Sequence, residues 1–390
     1  MYNPIIGAET WFFSFTLSAI LILYAIIFYP IVKRSFILKT KNRYNSALVI
    51  VLLIILAIFI SLPFCDGGTF ENPKFYLFMP MNYYAVVVAG GVLLVFVFFA
   101  LFKKKTIDED SYNRQLMQGI DVNKEISILS SQNFTTRQEM KRKLIHLLAI
   151  LYIATWMLEP LVFYGVGFLY DGIANTPTKE NLYNSRLLFE DKDVEIILLN
   201  GLVVQFFMLI CIFIGNFYAE IMRLRFKEYA FPLKRTLQTT RRPTEIYDTS
   251  ASILLLLGLA ISSIILTYGK ADRIAGVYAQ MGVICIAVFS DMFAALIGRK
   301  WGKHKWKFVK GKSVEGTIAG FVAGFFTAII FVGWILALIG SLIFMFTDLV
   351  LDKVKISDNA LNPILISIAY KLLIFLVSPM IVLLPIIKIW

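Results

Sequence analysis

Apolar runs of about 18 to 25 residues recur from one end of the chain to the other, and each is long enough to cross a hydrocarbon core of roughly 30 Å as a helix. A lipid core offers no partner for a backbone N–H or C=O, so a segment that crosses it must satisfy those groups within itself. The fold class this implies is all-α, a polytopic bundle of transmembrane helices. Composition agrees: 58% of the 390 residues are hydrophobic and only 16% are charged, far from soluble usage. The first run has no basic flank before it and no clear small-residue cleavage site, so it reads as a membrane helix rather than a signal peptide.

About ten crossings are expected, near residues 11–32, 46–64, 82–102, 144–169, 194–217, 251–268, 274–298, 316–334, 336–351 and 363–387. The eighth and ninth share one apolar stretch of about 35 residues, which as a single helix would rise roughly 52 Å. That exceeds the bilayer core, and Gly333 and Gly340 offer places to turn, so the stretch is split near residue 335.

Loop charge orients the bundle. The first loop carries five basic residues and no acid, while the second is slightly acidic. The third begins Lys103-Lys104-Lys105, the fourth is net negative, the fifth is rich in arginine and the seventh is strongly basic. Basic odd loops follow the positive-inside pattern, which puts both termini outside and the odd loops in the cytosol. The formal charge of +12 is therefore a matter of orientation and anionic headgroups, not of nucleic acid. Cys65, Cys211 and Cys285 have no metal-type spacing. Residues 1–102 read as accessory transmembrane helices, 103–136 as a cytosolic linker too poor in apolar residues for its own core, and 137–390 as the membrane domain that carries chemistry.

Five stretches in that last part hold polar residues where a membrane helix would not spend them. Asp291 lies inside an apolar run, where a carboxylate is expensive and marks a functional site by default. Carboxylates near phosphates hold Mg²⁺ through one or two oxygens. The loop after it, up to the next apolar helix, carries seven lysines and arginines from Arg299 to Lys312. Gly298 and Gly302 bracket Arg299-Lys300-Trp301 and permit unusual backbone angles near a ligand. Lys312 and Ser313 precede Glu315 and Gly316 at a helix start, whose free N–H groups and dipole suit an anion. The letters Gly311-Lys312-Ser313 do not make a Walker A loop, which needs a glycine where this chain has Trp306 and a strand before it. His304, Lys305 and Lys307 read as a solvated basic face.

The other stretches are individually plain. Arg142, Lys143 and His146 stand at the start of the fourth crossing, where a phosphate grip and a positive-inside anchor look alike. Glu220 and Arg223, three apart on one helix face, make an ion pair. Asp358 and Asn359 precede Pro363 in what is also a cap-and-turn sequence, with Asp348 and Asp352 upstream as further carboxylates.

Taken in order, RKLIH at 142–146, EIMR at 220–223, SDMFAALIGRKWG at 290–302, KSVEG at 312–316 and DNALNP at 358–363 resemble the CTP-dependent polyprenol kinase family. That family comprises dolichol kinases, phytol kinases and CTP-dependent diacylglycerol kinases; the phosphatidate cytidylyltransferases are a more distant likeness. The resemblance covers residues 140–385. Three positions depart from the pattern: Ser290 stands where a glycine is usual, the upstream acid is an aspartate rather than a glutamate, and the proline is one place further from Asp-Asn.

The resemblance implies transfer of the γ-phosphate of CTP to a membrane lipid alcohol, with dolichol or another polyprenol expected first. Asp291 and Asp358 are then expected to hold Mg²⁺, with Arg142, Lys143, Arg299 and Lys312 on phosphate oxygens and Ser313, Glu315, Gly316 and Asn359 positioning ligands. Asp358 and His146 are the candidate bases, and Glu220 and Arg223 support the site. The alternatives are a diacylglycerol or phytol acceptor, cytidylyl transfer to a lipid phosphate, and, in another class, a transporter of a phosphorylated solute. The last predicts broken helices matched in two halves of the chain, whereas the motifs crowd into the second half. The cytosolic face of a plasma membrane or an endoplasmic reticulum is the expected location.

Overall fold

The computed structural model describes residues 4–38, 40, 42–61, 87, 89–96, 209–224, 249–267, 273–309, 311–354 and 356–376. Among them the elements are helical: α1 (Pro4–Ile37), α2 (Arg43–Ser61), α3 (Ala251–Thr267), α4 (Arg273–Cys285), a π-helical turn (Ile286–Ser290), α5 (Asp291–Lys300), α6 (Val314–Val354) and α7 (Asp358–Leu376), with further helical segments at 89–96 and 209–224. Among the described residues, five helical stretches are long and apolar enough to cross a membrane: Phe15–Ile37, Arg43–Ser61, Ala275–Lys300, Val314–Leu351 and Asp358–Leu376; Ala251–Leu266 is a shorter apolar helix. The first, second, sixth and seventh expected crossings correspond to α1, α2, α3, and α4 to α5, and the first part of the tenth to α7, residues 377–387 lying outside the described residues. The expected crossing at 144–169 and the linker at 103–136 lie outside the described residues, as do most of those at 82–102 and 194–217.

The stretch expected to split near residue 335 does so at Gly333, whose φ of 72° and ψ of 177° are not helical. Contacts across the break show that α6 folds back on itself. A Cβ placed on Gly320 would lie 3.1 Å from Phe344, and one on Gly324 would lie 3.2 Å from the Ser341 hydroxyl. Residues equally far before and after the turn are neighbours, so the two limbs run antiparallel. A positive φ is cheap only for glycine, which is why the turn falls there.

The outgoing limb of α6 also packs against α5 through small residues. A Cβ on Gly316 would come within 2.8 Å of Gly298 Cα, one on Gly320 within 2.9 Å of Ala294 Cβ, and one on Gly324 within 2.1 Å of Ser290 Oγ. Gly316, Gly320 and Gly324 thus meet Gly298, Ala294 and Ser290 in antiparallel register, each set at every fourth residue on one helix face. Small faces of this kind let membrane helices approach closely enough for dispersion to hold them. Gly298 takes part in this close approach and Gly302, past the end of α5, packs against Ser313; the unusual backbone angle in this region belongs to Gly311, with φ of 93°.

Two apolar cores fill the bundle. One joins α1, α2 and the segments 89–96 and 209–224 to α3 and to Ala360 of α7; the other joins α3, α4, the π turn, both limbs of α6 and α7. In the first, Tyr24, Phe28, Phe213 and Phe217 stack with ring centroids 5.2 to 5.5 Å apart, and the Tyr24 hydroxyl donates to Ala89 O at 2.7 Å. The first two helices are tied to the second half of the chain by hydrogen bonds as well. Ser46 Oγ meets Thr249 Oγ1 at 3.0 Å, and Asn45 Oδ1 accepts the N–H of Ser357 at 2.8 Å.

Candidate active site

Four elements bring charged groups to one end of this bundle. Asp291 opens α5 directly after the π-helical turn. A π turn holds one residue more than an α turn, and each added residue rotates the rest of the helix by roughly 100°, so the turn decides the face on which Asp291 emerges. Such bulges are frequent at functional sites. Asp358 opens α7, five residues before the start expected at 363. Asp348 sits near the end of the returning limb of α6, which the turn at Gly333 carries back to the level where α6 began.

Lys312 reaches Asp348 across 36 positions of sequence, donating from Nζ to Oδ1 at 2.7 Å and also to the Asp348 main-chain carbonyl. Asp348 is buried and interacts electrostatically with Asp358 and Asp291 as well as with Lys312. The constellation is thus a Lys312–Asp348 pair with two further carboxylates, Asp358 and Asp291, near enough to act on Asp348. Asp348, one of the two upstream acids, is brought into the group by the fold. The signal for it was present: like Asp291, it interrupts an apolar run.

The chain between α5 and α6 is a short hairpin with an antiparallel bridge from Lys305 to Ser313. Trp306 N–H donates to Lys312 O at 3.2 Å and Val314 N–H to His304 O at 2.8 Å. Its inner edge is pinned to the start of α6. The Glu315 carboxylate accepts the backbone N–H of His304 at 3.0 and 3.2 Å and meets its ring Nδ1 at 2.6 Å, and Trp306 Nε1 donates to Thr317 Oγ1 at 3.0 Å. Ser313 caps the helix, its Oγ accepting Gly316 N–H at 3.2 Å. Val314 and Gly316 N–H at this helix start are therefore engaged within the chain, and Glu315 and Ser313 hold the hairpin in place. Lys312 is the residue of this group that faces the carboxylates.

Asn359 turns back onto its own turn, its Nδ2 donating to Asp358 Oδ1 at 3.1 Å and Ser357 Oγ at 3.3 Å. Glu220 and Arg223 pair at 2.7 Å, and the same carboxylate accepts the N–H of Ser250 at 2.8 Å. That closes the end of 209–224 onto the start of α3. Arg299 is exposed at the end of α5. Arg142, Lys143 and His146 lie outside the described residues.

Near the carboxylates are two hydroxyls, of Ser290 just before Asp291 and of Ser341 seven residues before Asp348, each buried and without a hydrogen-bond partner among the described residues. Both face Gly324. Ser290, which stands where the resembled motif has a glycine, is still small enough for the α5–α6 approach but brings a hydroxyl into it. Among the described residues, no group of three His, Cys, Asp or Glu side chains is arranged to hold a metal ion by itself.

Helices of membrane-spanning length, with carboxylates and a lysine gathered at one end, define the class as a polytopic membrane protein with a polar site at the bilayer edge. Comparison with known proteins narrows this. One stretch of the chain is 29% identical over 126 residues to CTP-dependent diacylglycerol kinase 1 of Saccharomyces cerevisiae, covering 32% of this chain and 40% of that protein. It is also 26% identical over 121 residues to CTP-dependent diacylglycerol kinase 1 of Schizosaccharomyces pombe, covering 31% and 51%. The matched part thus spans about half the length of these relatives or less. Both are CTP-dependent lipid kinases, in agreement with the resemblance carried by the motifs. No protein-family model matches the chain, and no solved structure does.

Proposed function

We propose that the chain is an integral membrane lipid kinase that moves the γ-phosphate of CTP onto the hydroxyl of a membrane lipid alcohol on the cytosolic face. The observation that carries this reading is the Lys312–Asp348 pair, with Asp291 and Asp358 acting on Asp348, at one end of apolar helices. We take diacylglycerol as the first acceptor, since the two relatives bear that name; a polyprenol such as dolichol is the second, on the motif order.

The alcohol oxygen attacks the γ-phosphorus, the bond to CDP breaks, and the hydroxyl proton passes to a nearby base, for which Asp358 and His146 are the candidates. Phosphoryl transfer asks the protein mainly for alignment and charge neutralisation. Lys312 reaches the carboxylates on a flexible stem and is the cation best placed to move onto a phosphate, with Arg299 at the end of α5 as a second. The residues also fit Mg²⁺. Asp358 and Asp291 both repel Asp348, and this ion needs only one or two carboxylates when nucleotide phosphates and water supply the other oxygens. Asp291 and Asp358 would hold it, and bound there it would neutralise the charge gathering on the β- and γ-phosphate oxygens.

The test is purified protein with Mg²⁺ and γ-labelled CTP, offered diacylglycerol, dolichol, a shorter polyprenol and phytol, with Asp291→Asn run beside it. Label entering one lipid and lost in the variant supports the kinase and names its acceptor. Pyrophosphate released with a cytidylylated lipid phosphate would instead identify cytidylyl transfer.

A further inference from the structure

The hairpin between α5 and α6 has a second edge that the proposed reaction does not use. Lys303, Lys305 and Lys307 fall at every second position, alternating with His304 and Trp306, whose rings bond back to Glu315 and Thr317 on α6. All three lysines are exposed, and none forms an ion pair among the described residues. The bonds of His304 and Trp306 to α6 and the bridge at Lys305 hold this stretch against the helix start and leave the three lysines exposed together. Two large apolar side chains accompany them: Trp301 is 54% exposed and Phe308 58%. Lys300 lies over the Trp301 ring at 4.5 Å, and Val309 is buried beneath the hairpin.

The position of this edge relative to the bilayer is set by its neighbours. One apolar span ends at Lys300 and the next begins at Val314, so the hairpin lies at the boundary between lipid and water. Exposed tryptophan and phenylalanine are unfavourable in water and suit the headgroup zone. Lysines beside them there meet phosphate oxygens of the leaflet.

We propose that Lys303, Lys305 and Lys307, with Trp301 and Phe308 as apolar anchors, form a docking surface for anionic phospholipid headgroups of the surrounding leaflet. The occupant is a lipid rather than a free nucleotide because the surface pairs cations with exposed aromatic side chains at the bilayer edge, whereas Lys312, the lysine turned inward, serves the carboxylates. Each lysine near an anionic surface contributes roughly a fivefold gain in binding, so three held on one edge select anionic over neutral lipid. The Glu315–His304 clamp presents them as a set, and the proposal is independent of the reaction assigned above.

The test places the full-length protein in nanodiscs of phosphatidylcholine with a minority of phosphatidylserine. Lipid retained after mild extraction is measured by native mass spectrometry for wild type and for Lys303→Gln/Lys305→Gln/Lys307→Gln. Wild type should retain phosphatidylserine preferentially, and the triple variant should lose that preference by about tenfold or more. Raising salt should weaken it in wild type alone. Lysine footprinting of unmutated protein supplies a readout that needs no variant: the three lysines should be protected in anionic but not in neutral nanodiscs. Equal retention by the two proteins, equal footprints in the two lipids, or complete displacement of phosphatidylserine by CTP would each overturn the proposal.

Discussion

Two acid–base pairs of this molecule look alike in composition and differ in every other respect. Glu220 and Arg223 lie three residues apart on one helix, and their meeting needs only the helical period. Lys312 and Asp348 lie 36 residues apart and meet only because α6 reverses at Gly333. The first pair is closed, since the Glu220 carboxylate also takes a backbone N–H and both side chains are buried. The second is open on two sides: Lys312 is partly exposed, and Asp348 sits near two further carboxylates. A pair whose every bond is made inside the protein holds helices together. A pair whose cation is partly exposed and whose acid is repelled by neighbouring carboxylates is placed to exchange partners, as binding a phosphate requires.

Breaking each pair should expose that difference. Arg223→Ala leaves Glu220 buried and charged, and should cost about 3 to 5 kcal/mol of stability, read as a large drop in thermal midpoint in detergent. Asp358→Asn should leave that midpoint near wild type while lowering phosphoryl transfer by about a hundredfold or more, read in the labelled-CTP assay. The two halves of the open pair should then behave unequally. Lys312→Met strands Asp348 among like charges and should destabilise by about 2 kcal/mol, whereas Asp348→Asn relieves repulsion and should cost less than about 1 kcal/mol. Equal losses from the two would mean that the pair is an ordinary structural bridge. Gly324→Ala tests the helix contact beneath the site: the added methyl meets the Ser290 hydroxyl, and overpacking of this kind costs about 1 to 3 kcal/mol. Ser341→Ala, which removes a buried hydroxyl with no partner among the described residues, should be neutral or stabilising within about 0.5 kcal/mol.

The N-terminal helices bear on the same site, although residues 1–102 carry no evident chemistry in sequence. Asn45 at the start of α2 accepts the N–H of Ser357, the residue before Asp358, and the first apolar core includes Ala360. The start of α7 is thereby held from the far end of the chain. Gly258 of α3 packs so close to Ala360 that a Cβ there would lie 2.6 Å from its carbonyl, which fixes α7 from the other side.

Much of the architecture is local information and was legible as such. The apolar runs define helices because lipid leaves the backbone no other way to satisfy its hydrogen bonds. The split at Gly333 follows from the length of α6 against the bilayer, and the Glu220–Arg223 pair from the helical period. The spacing of Gly316, Gly320 and Gly324 was also readable, as a small-residue face, once a partner helix was sought. Other features were not local. Glu315 looks like a ligand-positioning acid beside a helix start, and it becomes a clamp on His304 only when the hairpin folds over it. Gly298, with Ala294 and Ala295, was readable as a face for close helix approach, whereas the packing of Gly302 against Ser313 was not. The partnership of Lys312 with Asp348, and the place of Asp348 beside the other carboxylates, depend on where a reversed limb ends. Sequence by itself determined which segments are helices and which residues are too polar to lie idle in them, because both follow from transfer out of water. Tertiary structure decided which of those residues meet, because long-range contacts are set by the angles and closeness of helix packing, and no period in the chain records them.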